Sequence, residues 1–310
     1  MITFWRAVLK ILVTGAGQIG NAIVRSLRAT GDDVTVIRRS AHPIEGVRVI
    51  AGDAGKRALL EREARGADAI MHCIHAPYTA KAWREELPHR EQAVMDVAEG
   101  LGIPVIFPES VYAFGAQAHD LHEGAPIHPC SPLGDVRAEL LEARAAHAAH
   151  TASVVAADLV GKGASAKASV PTMSIVNPTL TGKTCWALGG PDTPHAMTFV
   201  SDLADAMIHV AREHTRVFAG NSSAILNAPS PTPVTFRELA RIVSTRANVS
   251  APKIHTIPAC TLSLTGMASP TLRSLSQQRY LWDSPSRLAP GALTEEHGLE
   301  SMRWSEAIFA

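Results

Sequence analysis

Short apolar runs alternate with amphipathic stretches over the first half of the chain. Residues 11–13, 34–37, 47–50, 69–74, 105–107 and 153–157 are apolar runs of strand length, bounded by polar or turn-forming residues. Between them, residues 21–29, 56–65, 85–101 and 134–150 carry apolar side chains at helical spacing. Ile23, Val24 and Leu27 mark the first of these, and Val94, Met95, Val97 and Ala98 the third. This alternation predicts an α/β fold with a doubly wound parallel sheet of the Rossmann type. Beyond Asp158 the pattern breaks. Residues 161–169 are small and polar, and prolines recur at 171, 178, 191 and 194. A helix over 202–212, capped by Ser201 or Asp202, and one more strand over 224–227 are expected, with two helical segments among prolines between 231 and 290. The expected division is a sheet domain over 8–160 with parts of 195–230, and a smaller, irregular lobe from 161–194 and 231–310.

Composition narrows the class. The 310 residues are 46% hydrophobic, with 29 acidic and 29 basic residues, so the charge offers no footprint for nucleic acid or an anionic membrane. Four cysteines, at 73, 130, 185 and 260, lie far apart with no C-x-x-C pair, which suits reduced thiols better than a disulfide framework or a zinc site. Arg6 and Lys10 interrupt the first apolar residues, and no run approaches the roughly 18 residues of a membrane span. A cytoplasmic protein is expected. His72 and His75 sit three apart in a strand-to-loop segment with no third ligand nearby, so no metal site is assigned.

The chemistry begins at the end of the first strand, where Thr14 is followed by Gly15-Ala16-Gly17-Gln18-Ile19-Gly20 and a helix. Strand, glycine turn and helix in that order suit a dinucleotide: Gly15 makes the turn, Gly17 admits the pyrophosphate, and Gly20 lets helix and strand pack closely. The helix N-terminus offers unpaired N–H groups to the phosphates. At the end of the second strand, where an NAD site tends to carry an acid, stand Arg38 and Arg39. Two guanidinium groups suit the 2′-phosphate of NADP(H), so NAD(H) is the less favoured cofactor. Asp53, after the third strand, either meets the adenine or caps the next helix.

Val13-Thr-Gly-Ala-Gly-Gln-Ile-Gly20, the loop after the fourth strand, Ser110-Val-Tyr112 and the segment ending at Glu139 together resemble the extended and atypical short-chain dehydrogenase/reductases, the NAD(P)-dependent epimerase/dehydratase group. The resemblance covers nearly the whole chain. Ala76-Pro-Tyr-Thr79 with Trp83, and Pro194-His195 with Phe199-Val-Ser-Asp202, are similar to an atypical branch. The resemblance implies cofactor contacts from Cys73, Ile74 and His75, and a substrate site reached by Tyr78, Trp83 and Asp158. It also implies a Ser/Thr, a Tyr, and a Lys four residues after the Tyr; the phenol moves the proton, and the lysine lowers its pKa. Ser110 stands at the first position. The other two fall on Leu133 and Arg137, and leucine cannot transfer a proton. Substitute proton carriers are therefore sought among Tyr112 and His195 first, then Tyr78, Glu109, Asp158, His75 and His119.

The expected function is an NADP-dependent oxidoreductase or epimerase/dehydratase-like enzyme, acting on a small polar carbonyl or hydroxyl substrate with a non-standard general acid. The alternative is a catalytically silent NADP(H)-binding regulator or redox-sensing partner protein. A homodimer through the helices over 85–101 and 134–150 is a further expectation of the resemblance.

Overall fold

The apolar runs become strands because each can bury both faces of a parallel sheet. In the computed structural model, which describes residues 8–258, 260–261 and 269–309, β1 (Lys10–Thr14), β2 (Asp33–Arg38), β3 (Arg48–Ala51), β4 (Ala69–His72), β5 (Val105–Ser110), β6 (Thr151–Ala156) and β11 (Ser223–Asn227) form one sheet. Its order is β11-β6-β5-β4-β1-β2-β3, with every neighbouring pair parallel. The order in which strands are added reverses between β1 and β4, where open α/β sheets bind ligands beyond their carboxyl ends. The N-terminal stretch read above as too interrupted for a signal segment lies largely outside the described residues. Among the described residues no helix is long and apolar enough to cross a membrane.

Alternation along each strand sorts the core. Ile11, Val13, Met71 and Ile106 face α1 (Gln18–Ala29) and α6 (Val200–Arg212), meeting Ile23, Leu27, Leu203 and Met207. Leu12, Ile70, Val105 and Phe107 face the other way, against Leu60 of α2 (Arg57–Ala64) and Val94 and Met95 of α3 (Ala80–Leu101). A separate cluster joins Val160, Val176, Cys185, Phe199, Phe236, Leu239 and Trp282. It brings together β7 (Asp158–Val160), β8 (Cys185–Ala187), β10 (Met197–Phe199) and α8 (Phe236–Ala247). Small two-stranded pairings accompany it: β7 with β10, β9 (Pro194–His195) with β12 (Val234–Thr235), and β8 with β13 (Ile254–Thr256).

Several boundaries differ from the pattern reading, each for a local reason. Helix α3 starts at Ala80 because the Thr79 side chain accepts the Ala82 N–H, and it continues through Pro88. Helix α4 (Pro132–Ala146) starts and stops earlier than expected, with Ser131 accepting the Gly134 N–H and Pro132 in the first turn. Helix α6 is not capped by Ser201 or Asp202; its cap residue is Phe199. The Asp202 carboxylate instead accepts from Ser301 Oγ and the Met302 N–H, tying down the C-terminal segment.

Candidate active site

The glycine turn is shaped by its neighbours. Gly15 has φ +90°, and a Cβ there would lie 2.8 Å from the Cys73 carbonyl oxygen. A Cβ at Gly20 would lie 2.0 Å from the Gly15 carbonyl, so only glycine lets α1 close on β1. Gly17 is different. It caps α1 with no side-chain hydrogen bond, and a Cβ there would meet nothing within 4 Å. A helix N-terminus without a side-chain cap, opened by a residue with free space above it, fits the phosphates of a dinucleotide. Gln18 and Ile19 continue this wall, and Gln18 Oε1 accepts the Ser165 N–H at 2.9 Å, holding the 161–169 loop beside the turn.

Along the sheet edge, half-buried Arg38 and exposed Arg39 end β2, and neither has an acidic partner among the described residues. Asp53 does not cap α2, whose cap residue is Lys56. Its Oδ1 accepts the Gly55 N–H at 3.0 Å and lies 3.8 Å from Arg90 Nε.

From the glycine turn a cavity of about 430 Å³ extends over the ends of β4, β5 and β6. Cys73, Ile74, His75, Tyr78, Trp83, Ser110, Tyr112, Arg137 and Asp158 all contribute to its wall. Tyr78 and Tyr112 join through their hydroxyls at 2.9 Å, and Tyr112 stacks parallel to Trp83 with centroids 6.3 Å apart. Burial pushes Tyr112 up to about 12 and Tyr78 well above the usual phenol range, so both keep their protons at neutral pH. Asp158 lies at the start of β7, where Trp282 Nε1–H donates to its Oδ2 at 2.7 Å. Burial raises its carboxyl to about 6 against that hydrogen bond. Burial also raises the Cys73 thiol to about 12, which leaves it protonated and unreactive.

Beneath this floor lies a buried charge network. Arg144 donates twice to Glu91 at 2.7 Å, and its Nη1 donates to Glu109 Oε2 at 2.8 Å and to Ser153 Oγ at 2.9 Å. Glu109 Oε1 in turn accepts the Ser110 N–H at 2.7 Å and the Ser110 hydroxyl at 3.3 Å. Arg137, two helical turns before Arg144 on α4, lies 3.5 Å from Glu109 and 4.5 Å above the Trp83 ring. Its Nη2 donates to His75 Nε2 at 3.4 Å, while His75 Nδ1–H donates to the Ala76 carbonyl. Desolvation, aided by Arg137, lowers His75 to about 4; desolvation with Arg144 and Arg90 lowers His72 to about 3. Both imidazoles are therefore neutral at pH 7.

The structure gathers Ser110, Tyr112, Arg137, Tyr78, Trp83 and Asp158 in one cavity, but it does not bring His195 there. That ring is 1% exposed and packs 4.9 Å from Phe236 in the core beneath β9. Its position beside the sheet edge in sequence is offset by the pairing of β9 with β12, which turns the side chain inward. His119 also turns away and donates to the Tyr280 carbonyl. Leu133 is buried among Trp83, Leu87, Val136 and Leu140. Glu91, Arg144 and Trp282 were not found from the sequence. Only Arg144 left a signal there, its seven-residue spacing from Arg137 on one helix face.

Comparison with known proteins agrees with this architecture. The family model described as "NAD dependent epimerase/dehydratase family" matches residues 11–225. No curated protein sequence matches the chain. Among solved structures, the Bordetella bronchiseptica enzyme WbmH in complex with NAD+ is 18% identical with a TM-score of 0.69, covering 97% of this chain and 96% of that one. MoeE5 in complex with UDP-glucuronic acid and NAD is 20% identical with a TM-score of 0.70, over 94% of both chains. UDP-glucose 4-epimerase from Brucella ovis in complex with NAD is 14% identical with a TM-score of 0.69, over 97% of this chain and 96% of that one. At these identities the likeness carries the fold. The family match, spanning more than half the chain from β1 into the seventh sheet strand, makes this protein a member of the NAD dependent epimerase/dehydratase family of enzymes.

Proposed function

We propose that the chain is an NADP(H)-dependent oxidoreductase or epimerase/dehydratase-like enzyme, acting on a small polar carbonyl or hydroxyl substrate, with Asp158 as its proton carrier. The observation that carries this reading is the Asp158 carboxyl in the wall of the cavity that opens from the glycine turn, held by Trp282 and raised by burial to about 6. A group near that value is present in both protonation states at neutral pH, which general acid–base work requires. The Tyr78–Tyr112 pair supports it as a hydrogen-bond donor to a substrate oxygen, since neither phenol ionises at pH 7. Ser110 orients the same oxygen, and Trp83 closes the wall.

Gly15, Gly17, Gln18 and Ile19 would hold the dinucleotide, with Cys73, Ile74 and His75 beside it. Bound there, the dinucleotide supplies the hydride donor or acceptor. WbmH, MoeE5 and the Brucella ovis epimerase were solved with NAD. The preference for NADP(H) here rests on Arg38 and Arg39, two guanidinium groups without an acidic partner among the described residues where the adenosine ribose is expected.

Leu133 favours a second reading, a silent NADP(H)-binding regulator, because an apolar buried side chain stands where the resemblance expects the tyrosine. The test is calorimetric titration with NADPH and NADH, followed by incubation of the loaded protein with carbonyl and hydroxyl compounds, with products read by NMR. Product formation, with or without net NADPH consumption, supports an enzyme. Tight binding with no product from any compound supports the regulator, and no binding of either dinucleotide overturns both.

A further inference from the structure

Two arginines of one helix face are treated unequally. Arg144 is 1% exposed and makes four hydrogen bonds, two to Glu91 and one each to Glu109 and Ser153. Arg137 is nearly as buried, at 9%, yet its one hydrogen bond among the described residues is a long one to a neutral imidazole. Its Nε has no hydrogen-bond partner. Glu109 lies 3.5 Å away, but its oxygens are already engaged, Oε2 by Arg144 and Oε1 by the Ser110 N–H and hydroxyl. A guanidinium carries five donors, and buried donors are rarely left without acceptors. Trp83 stacks at 4.5 Å and fixes the guanidinium plane, and both residues line the cavity.

The geometry points to Arg137 as the recognition group for a carboxylate on the substrate, so that the substrate class is a small carbonyl or hydroxy acid. A planar guanidinium held over an aromatic face in the wall of a cavity matches a carboxylate in two parallel hydrogen bonds. A carboxylate is favoured over a phosphate because it needs one cation: Arg144 is saturated, Arg287 is paired with Asp120 at 2.8 Å, and Lys167 sits on the loop that Gln18 holds beside the glycine turn, where the dinucleotide phosphates are expected. Asp158 and the phenol pair are left free for the reacting oxygen. This inference rests on the small-substrate reading of the cavity given above.

The test compares pyruvate with its neutral amide, pyruvamide, binding to the NADP+-loaded full chain, followed by NMR saturation transfer and competition. Cofactor loading is measured first, so failure of the cofactor assignment is seen separately. Pyruvate is expected to bind about tenfold or more tightly than pyruvamide, as a charge-assisted pair of hydrogen bonds requires. Arg137→Lys should keep part of that preference, and Arg137→Met should abolish it. Inorganic phosphate should not displace pyruvate. The inference is overturned if the acid and the amide bind alike, if neither binds at tens of millimolar, if Arg137→Met keeps the preference, or if phosphate competes. The wild-type comparison stands even where a variant fails to fold.

Discussion

Replacing Asp158 by Asn separates a proton carrier from a structural hydrogen-bond acceptor. The amide oxygen can still accept from Trp282 Nε1–H, but it cannot ionise. The folded chain holds this carboxyl at about 6 against an ordinary value of 3.8, so keeping it ionised costs the fold about 3 kcal/mol at most. Above pH 6 the group is ionised in both folded and unfolded chains, and the whole cost is present. As the pH falls from about 6 to below 4, the folded chain takes up its proton first and the cost disappears. Asp158→Asn should therefore be more stable than the wild type at pH 8, by up to about 3 kcal/mol, and nearly equal to it at pH 4. Urea unfolding at the two pH values measures the difference. In turnover, the wild-type profile should bend near pH 6, and the variant should lose the bend along with roughly 10²- to 10⁴-fold in rate. A variant less stable than wild type at pH 8, or a stability difference independent of pH, would show that burial does not raise the Asp158 carboxyl.

Other consequences follow from the same geometry. Gly17→Ala places a methyl in open space, so its stability should change by no more than about 1 kcal/mol, while NADPH affinity in calorimetry falls at least tenfold; unchanged affinity would detach the turn from the cofactor. Removing both guanidiniums in Arg38→Ala/Arg39→Ala should weaken NADPH binding far more than NADH binding, and equal losses would argue against reading the 2′-phosphate there. Arg144→Met leaves Glu91 and Glu109 buried without their main cation. Denaturant unfolding should show a loss of about 3–5 kcal/mol, and a loss under about 1 kcal/mol would mean that Glu91 and Glu109 do not depend on Arg144 for their burial.

The sheet was legible because parallel strands buried on both faces must read as apolar runs, and Ile11–Val13 or Val105–Phe107 cannot be much else. The glycine turn was legible for the same local reason, since φ +90° at Gly15 and the close approach at Gly20 leave no choice of residue. Helix ends were harder. The helical spacing carried α3 through Pro88 but did not show its first turn, whose start depends on a single Thr79 hydroxyl. The site itself was legible only as far as chain order places residues at strand ends, which located Ser110, Tyr112 and Asp158. The environment of Asp158 depends on Trp282, 124 residues away, and Arg144 meets Glu91 and Glu109 across 53 and 35 residues. No local pattern records such pairings. His195 shows the cost: a two-residue strand pairing with Val234 and Thr235 turns it against Phe236, out of the cleft where chain order had placed it.

In the proposed mechanism the cavity beside the glycine turn carries out chemistry with Asp158 moving the proton. The mechanism is tested most directly by incubating the protein with NADPH deuterated at the nicotinamide C4 and a set of small carbonyl acids, and following deuterium into the alcohol product by mass spectrometry. Deuterium is expected on the carbinol carbon, at a rate that bends near pH 6 and collapses in Asp158→Asn while NADPH affinity is unchanged. Tight NADPH binding with no product of any kind, deuterated or not, or transfer that Asp158→Asn leaves intact, would contradict the mechanism.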